Sequence, residues 1–148
     1  MKPFTNDNVA AVFAGYPTGY PTGICEHRLD ARGLVFEVAQ RDLSDVGTLE
    51  EALRWGEPAY LTPQTKSGST MGLAWREVEP DVYGVFFICT TDLLDTFRAL
   101  FADELVFEGE RAILGTVDVP IPPDALAYCV EAGLMYRLRK RRERRQRG

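Results

Sequence analysis

The chain has 148 residues, of which 45% are hydrophobic and 26% charged, and its formal net charge at pH 7 is −5. This length and composition predict a single globular domain with a sizeable core. Residues 1–7 lack the apolar core of a signal peptide, and no apolar run approaches the ~20 residues of a membrane span. We therefore expect a soluble cytoplasmic protein that has no membrane partner.

The first half of the chain predicts three helices separated by turns. Asn6 or Asp7 can cap a short helix that reaches about Ala14. The tandem repeat Tyr-Pro-Thr-Gly over residues 16–23 is typical of two consecutive β-turns. Apolar residues then recur at helical spacing over residues 24–42 and predict a long second helix.

A capping box predicts the third helix. Thr48 is the expected cap and Glu51 follows three residues later, so the helix would end at Trp55-Gly56. Gly56 can take the left-handed conformation that closes a helix, and Pro58 prevents a restart.

Two large aromatic side chains flank this helix end. We expect Trp55 and Tyr60 to lie close together across a tight corner, where each buries a large area and satisfies one polar group. The corner either lines a pocket or fills a core.

The second half of the chain alternates between strands and helices. Strands are predicted at residues 71–76, 82–89, 105–107 and 112–117. Thr90 or Thr91 would cap a helix after the second of these strands. Pro123 and the prolines before it would open a final helix, which continues into a basic segment.

This order of elements predicts an α+β fold in a single domain. We expect an antiparallel sheet of about four to six strands, packed by N-terminal helices, one mid-chain helix and a long C-terminal helix. Residues 1–136 would form the domain, and residues 137–148 a basic C-terminal helix extension.

Charge is distributed unevenly along the chain. Of the 17 basic and 22 acidic residues, eight basic residues and one acidic residue lie in residues 137–147, which leaves nine and 21 in residues 1–136. The formal net charge of the domain is therefore near −12 and that of the extension near +7. The extension's candidate contacts with nucleic acid or an acidic partner are Arg139, Lys140, Arg141, Arg142, Arg144 and Arg145.

Two alternatives stay open for the basic extension. It can lie against the acidic surface of its own or a neighbouring chain, or it can simply extend the helix and keep the protein in solution. No aromatic residue is interleaved with the arginines, so the pattern does not predict base stacking.

The three cysteines predict free thiols. Cys25, Cys89 and Cys129 are odd in number, far apart and in no Cys-x-x-Cys pair. Each lies in an apolar neighbourhood, where a thiol behaves as a small hydrophobic group. This pattern favours a reducing compartment over a disulfide framework.

Four ordered motifs identify a family resemblance. They are Trp55-Gly56-x-Pro58-x-Tyr60, Gly68-Ser69-Thr70, the run over residues 87–91 and the run over residues 108–113. Over residues 16–136 the chain resembles the YdhG-like family of small α+β proteins. Most members have no known function, and some are described as frataxin-like intracellular iron chaperones. Met71-Gly72 and Glu110 depart from the family pattern, which implies a less polar cleft.

The resemblance implies a set of ligand-binding residues. The candidates are Trp55, Pro58, Tyr60, Trp75, Arg76, Tyr83, Phe87, Cys89 and Arg111. If they converge, they form an apolar pocket with one or two cationic groups that suits a small anionic or aromatic ligand. The alternative is a hydrophobic core whose arginines point to solvent.

The frataxin-like description implies iron as the one cofactor to consider. Glu26, Asp30 and Glu37 lie near one face of the long helix, and carboxylates are ligands that iron accepts. The alternative is a solvated acidic helix face that keeps the protein in solution.

Several catalytic arrangements are excluded. His27 is the only histidine, so a two-His metal site cannot form, and Cys25 does not face it across a helix. Residues 65–70 lack the order of a phosphate-binding loop. We therefore expect a non-enzymatic binding protein for a metal ion or small molecule, or alternatively an interaction module that uses the basic extension. A second copy of the chain, in a homodimer, is a further candidate partner.

Overall fold

The computed structural model describes residues 2–19, 23–88 and 91–147. In these residues the helices are α1 (Asp7–Ala14), α2 (Ile24–Arg41), α3 (Leu43–Val46), α4 (Leu93–Phe101), α5 (Pro123–Leu134) and α6 (Tyr136–Arg147). The strands are β1 (Glu50–Arg54), β2 (Glu57–Leu61), β3 (Met71–Trp75), β4 (Val82–Phe87), β5 (Val106–Glu108) and β6 (Ala112–Thr116). The predicted α+β fold is confirmed. The second predicted β-turn falls largely outside the described residues.

The six strands form one antiparallel sheet in the order β1-β2-β3-β4-β6-β5. The predicted strands at residues 105–107 and 112–117 correspond to β5 and β6, which pair as a hairpin. Helix α4 lies between β4 and β5 in the chain, and the hairpin places β6 against β4 and β5 at the edge of the sheet.

The core lies between this sheet and the helices α1, α2, α4 and α5. Leu73 and Val85 are register partners in β3 and β4, and both are fully buried. They pack in one cluster with Ile24 and Val35 of α2 and with Val130 of α5. The helical periodicity that predicted α2 therefore corresponds to the face it buries.

The prediction of a helix from the capping box is wrong. Residues 50–54 form strand β1, whose five residues pair with β2 from Glu50↔Leu61 to Arg54↔Glu57. Trp55 and Gly56 have φ of 53° and 77°, which is the left-handed backbone of a two-residue hairpin turn. Gly56 is left-handed as predicted, but it closes a hairpin instead of a helix.

The predicted C-terminal helix is divided in two at Met135, and a loop is inserted beside the junction. Ser67 Oγ donates to the Leu134 carbonyl at 2.8 Å, and the Ser69 N–H donates to the Gly133 carbonyl at 2.9 Å. The Leu138 N–H in turn donates to the Ser67 carbonyl at 2.9 Å. The loop thus satisfies main-chain groups that a helix end leaves without partners.

None of the helices in the described ranges is long and apolar enough to cross a membrane.

Candidate ligand site at Arg28

Helix α2 places two buried arginines over the β1–β2 hairpin. Arg28 and Arg32 are one helical turn apart on the same face, and both side chains are 0% exposed. Each forms an ion pair with a carboxylate of the hairpin, Arg28 with Glu57 and Arg32 with Glu51. The two pairs differ in how fully they satisfy the guanidinium group.

Arg32 has a complete set of partners. Its Nε and Nη2 donate to the two oxygens of Glu51 at 2.7 and 2.9 Å. Its Nη1 and Nη2 also donate to the carbonyls of Lys2 and Pro3. Tyr60 Oη donates to Glu51 at 2.8 Å, and burial raises the pKa of Tyr60 well above its ordinary value. This network holds α2, the N-terminal segment and the hairpin together.

Arg28 uses only one of its three nitrogens. Nη2 donates to Tyr16 Oη and to Glu57 Oε2, the latter at 3.2 Å. Nε and Nη1 are buried and have no hydrogen-bond partner among the described residues. The guanidinium carbon lies 4.1 Å from the centre of the Tyr16 ring, a cation–π contact that leaves these donors unsatisfied. Burial lowers the pKa of Arg28, while Tyr16 and Glu57 oppose this effect.

Glu57 and Trp75 form the side of the site nearest to solvent. The Glu57 side chain is 25% exposed, and the Trp75 ring lies 5.8 Å from the Tyr16 ring in an edge contact. Burial raises the pKa of Glu57, although the Arg28 charge and a backbone hydrogen bond from Trp75 act in the other direction. Of the two side chains that accept from Arg28, Glu57 is therefore the more exposed, since Tyr16 is only 5% exposed.

The hairpin turn next to Glu57 carries backbone strain. Trp55 has φ of 53°, a left-handed conformation that is unfavourable for a bulky residue. Its side chain is 78% exposed, and its ring contacts Phe86 at 6.3 Å between centroids. Strain of this kind clusters at functional sites, which draws attention to this end of the sheet.

The structure does not bring the predicted pocket residues together in one cavity. Pro58, Tyr60 and Phe87 are buried, whereas Arg76 and Arg111 are exposed. The expected contact between Trp55 and Tyr60 is wrong, because Tyr60 packs in the core against Phe36 and Trp55 lies outside on Phe86. Cys89 lies outside the described residues.

The two predicted cationic groups lie at opposite ends of the central strands. Arg76 follows the last residue of β3 and forms ion pairs with Glu79 and Glu108 at 3.3 and 3.4 Å. The Arg111 carbonyl accepts from the Phe87 N–H, at the other end of β4. Trp75 reaches the Arg28 site through its contact with Tyr16, and whether the predicted pocket residues bind a ligand stays a prediction.

A concavity lies between α2 and the segment that leads into α5. It has a volume of about 560 Å³, and its lining includes His27, Asp30, Glu37 and Tyr83. His27 Nε2 is 2.9 Å from the Val117 carbonyl oxygen, and Glu37 accepts from Arg41. Because His27 and Glu37 already have partners, this groove makes a weaker case for a ligand than Arg28 does.

The acidic residues proposed for iron are spread along α2. Asp30 and Glu37 line the groove, whereas Glu26 does not. Within residues 2–19, 23–88 and 91–147, no three His, Cys, Asp or Glu side chains are placed to hold a metal ion. Iron binding therefore stays a prediction without geometric support.

Helix α6 carries the residues predicted to contact nucleic acid or an acidic partner. Arg139, Lys140 and Arg142 form ion pairs with Glu131, Asp92 and Asp45 respectively. Arg141 donates to the Lys66 carbonyl at 3.2 Å. Arg144 and Arg145 are exposed and have no ion-pair partner in the part of the chain that the structure describes.

Reasoning from the sequence missed Tyr16, Arg28 and Glu57. A signal was present, since Arg28 and Arg32 fall on the same face of α2 as Ile24 and Val35. A charged residue on an apolar helix face requires a buried partner, and a buried partner marks a polar site.

Comparisons with known proteins leave the family open. No family model, no curated protein and no solved structure matches this chain. The resemblance to the YdhG-like family therefore stays a prediction, and the functional argument rests on the geometry around Arg28.

Proposed function

We propose that the protein is a non-enzymatic binding protein whose ligand is a small molecule with a carboxylate or phosphate group that pairs with Arg28. The observation that supports this function is the pair of buried donors, Nε and Nη1, that have no partner among the described residues. An unsatisfied buried donor costs about 1–3 kcal/mol, and more when it is charged. A ligand oxygen that accepts from these donors recovers this cost on binding.

Glu57 would act as an internal competitor for the ligand. Its carboxylate is the one ion-pair partner of Arg28 in the described chain, and its side chain reaches solvent. Burial raises the pKa of Glu57, so its charged form is not fully stabilised where it lies. An anionic ligand can replace this carboxylate at Arg28 while Glu57 turns outward into water.

The neighbouring rings favour a ligand with an aromatic or flat apolar body. Tyr16 and Trp75 contact each other edge to face beside the guanidinium group. Planar groups pack well against such rings, at a gain of about 0.5–1.5 kcal/mol for a good pair.

Binding without catalysis suits the protonation states at this site. Burial raises the pKa of Tyr16 far above neutral pH, and it also raises the pKa of the nearby Cys25 thiol. Neither group is ionised at pH 7, and an un-ionised thiol is a weak nucleophile.

The test uses phenyl phosphate and benzoate as probes, with benzyl alcohol as the uncharged control. Binding is followed by tryptophan fluorescence, because Trp75 lies at the site. In the Glu57→Gln variant the competing charge is removed, so we expect both anions to bind about tenfold more tightly, or about 1.4 kcal/mol. The matched control is Glu37→Gln, which removes an exposed carboxylate of α2 and should leave both affinities unchanged.

Arg28→Met provides the loss-of-binding arm. This variant keeps an apolar chain of similar length in place of the buried guanidinium, and circular dichroism checks that it folds. We expect it to lose binding of both anions, whereas Arg41→Met, on the exposed end of α2, should not. If Glu57→Gln binds neither anion below about 10 mM, weaker than about −3 kcal/mol, the proposed function is wrong.

A further inference from the structure

Helix α6 separates its cations into two groups on different sides. Arg137, Arg141, Arg144 and Arg145 follow the spacing i, i+4, i+7 and i+8, which places them on one side of a helix within about 100°. We name these four residues the arginine stripe. No carboxylate in the described parts of the chain forms an ion pair with any of them.

The remaining cations of α6 are neutralised by neighbouring carboxylates. The pairs are Arg139–Glu131 at 3.7 Å, Lys140–Asp92 at 2.8 Å, Arg142–Asp45 at 3.5 Å and Arg147–Glu143 at 3.7 Å. The rest of the chain is near −12, so carboxylates are plentiful, yet the fold leaves the stripe without them. A charged row that an acidic protein does not neutralise is available to an anionic partner.

The stripe is presented on a helix that is fixed to the domain. The Leu138 N–H donates to the Ser67 carbonyl, and Arg141 Nη1 donates to the Lys66 carbonyl at 3.2 Å. The backbone positions of the four arginines are therefore fixed before any partner arrives, which lowers the entropic cost of binding.

We propose that the arginine stripe binds the phosphodiester backbone of nucleic acid without sequence preference. From Arg137 to Arg145 the helix rises about 12 Å, which matches the axial length of three or four nucleotides in one strand of a duplex. Arginine also suits this partner, because its planar guanidinium can donate two hydrogen bonds to one phosphate.

The composition of the helix favours nucleic acid over an acidic protein or a membrane surface. Tyr136 and Leu138 are the apolar residues of α6, and both pack against the core. The stripe therefore offers no apolar anchor for the centre of a protein interface. It also offers no apolar face that could insert into a lipid surface.

The experiment measures binding of the full chain to a fluorescein-labelled duplex of about 20 base pairs by anisotropy. Four phosphate contacts predict a slope of about −3.6 for the logarithm of affinity against the logarithm of salt concentration. Affinity should then fall about 150-fold between 50 and 200 mM salt. A duplex of unrelated sequence should give the same values.

A matched pair of double variants distinguishes the effect of the arginine stripe on binding from the effect of net charge. Arg144→Gln with Arg145→Gln removes two stripe residues and should reduce the slope to about −1.8. Arg139→Gln with Arg147→Gln removes the same charge from the paired side and should keep the slope of the natural protein. An equal loss in both variants would overturn the proposal, as would no binding in about 50 mM salt. Stripe-dependent binding to polyglutamate or to phosphatidylserine vesicles, with none to the duplex, would also overturn it.

Discussion

Arg32 donates hydrogen bonds to both carboxylate oxygens of Glu51, at 2.7 and 2.9 Å, with both side chains almost fully buried. This pair joins helix α2 to strand β1 across 19 residues of sequence. Arg28, one turn earlier on the same helix, meets Glu57 through a single nitrogen. The contrast divides the two buried arginines into one whose nitrogens all have partners and one that keeps two nitrogens without a partner among the described residues.

The first prediction concerns the structural pair. Glu51→Ala leaves the Arg32 charge buried without its carboxylate, so we expect the free energy of unfolding to fall by about 3–5 kcal/mol. Urea denaturation measures this change. Glu50→Ala is the matched control, because Glu50 is the exposed neighbour in the same strand and should cost less than about 0.5 kcal/mol. Similar losses in the two variants would show that the ion pair does not have this structural role.

The second prediction tests the loop inserted beside the α5–α6 junction. A Cβ on Gly68 would lie 2.7 Å from the Leu134 carbonyl oxygen and 2.9 Å from the Leu134 Cα. Because these are main-chain atoms that cannot move aside cheaply, Gly68→Ala should destabilise the protein by about 1–3 kcal/mol.

The control for the loop is a second glycine. Gly33 lies inside α2, and a Cβ added there would meet no neighbouring atom within 4 Å, so Gly33→Ala should stabilise the protein by about 0.5–1 kcal/mol. Thermal denaturation of both variants gives the comparison. If Gly68→Ala is as stable as the natural protein, the loop does not clamp the helix junction as the distances indicate.

Much of the fold could be predicted because local patterns and tertiary packing agree. The apolar face of α2, the branched and aromatic residues of β4 and the hairpin residues before β6 each have one dominant periodicity. The mid-chain helix was also expected, with Thr90 or Thr91 as its cap, but the residue at its N-cap position is Asp92. In these segments the local sequence alone is enough to predict the secondary structure.

Strand β1 and the Arg28 site depend on contacts that a short window does not contain. Thr48 and Glu51 have the spacing of a capping box, but the partner of Glu51 is Arg32, far away in sequence. The Glu51 side chain accepts from Arg32 of α2 and Tyr60 of β2 instead of capping a helix N-terminus. Likewise, nothing near Arg28 in sequence shows that Glu57 reaches only one of its nitrogens.

The third prediction concerns the strained turn at Trp55. Asn tolerates a left-handed backbone, and Asn-Gly is favoured in two-residue hairpin turns. Trp55→Asn relieves strain of about 1–3 kcal/mol and loses a ring contact with Phe86 of about 0.5–1.5 kcal/mol. The difference between these ranges runs from about −0.5 to about +2.5 kcal/mol, so we expect stability that is unchanged or higher.

Urea denaturation measures this stability, and Phe86→Leu, which removes the other ring of the contact, is the control for lost packing. A loss above about 1 kcal/mol in Trp55→Asn would mean that the exposed ring supports the fold more than its strain opposes it. Unchanged stability would instead indicate that Trp55 is kept for a purpose other than folding.

The last prediction uses the buried thiol of α5. Cys129 is fully buried, and burial raises its pKa from 9.0 to about 12. Since the thiolate is the reactive form, iodoacetamide at pH 8.5 should label the partly exposed Cys25 well before Cys129. Peptide mass spectrometry after timed quenching measures both rates, and labelling in urea gives the unfolded reference.

The same shift makes stability depend on alkaline pH. The folded protein keeps the Cys129 proton up to about pH 12, whereas the unfolded chain releases it near pH 9.0. The contribution of this thiol to the free energy of unfolding is therefore fully present below pH 9.0, and it decreases as the pH rises above that value. Cys129→Ala should weaken this alkaline decline in the free energy of unfolding. An identical decline in both proteins, or equal native labelling of the two cysteines, would contradict the buried environment of Cys129.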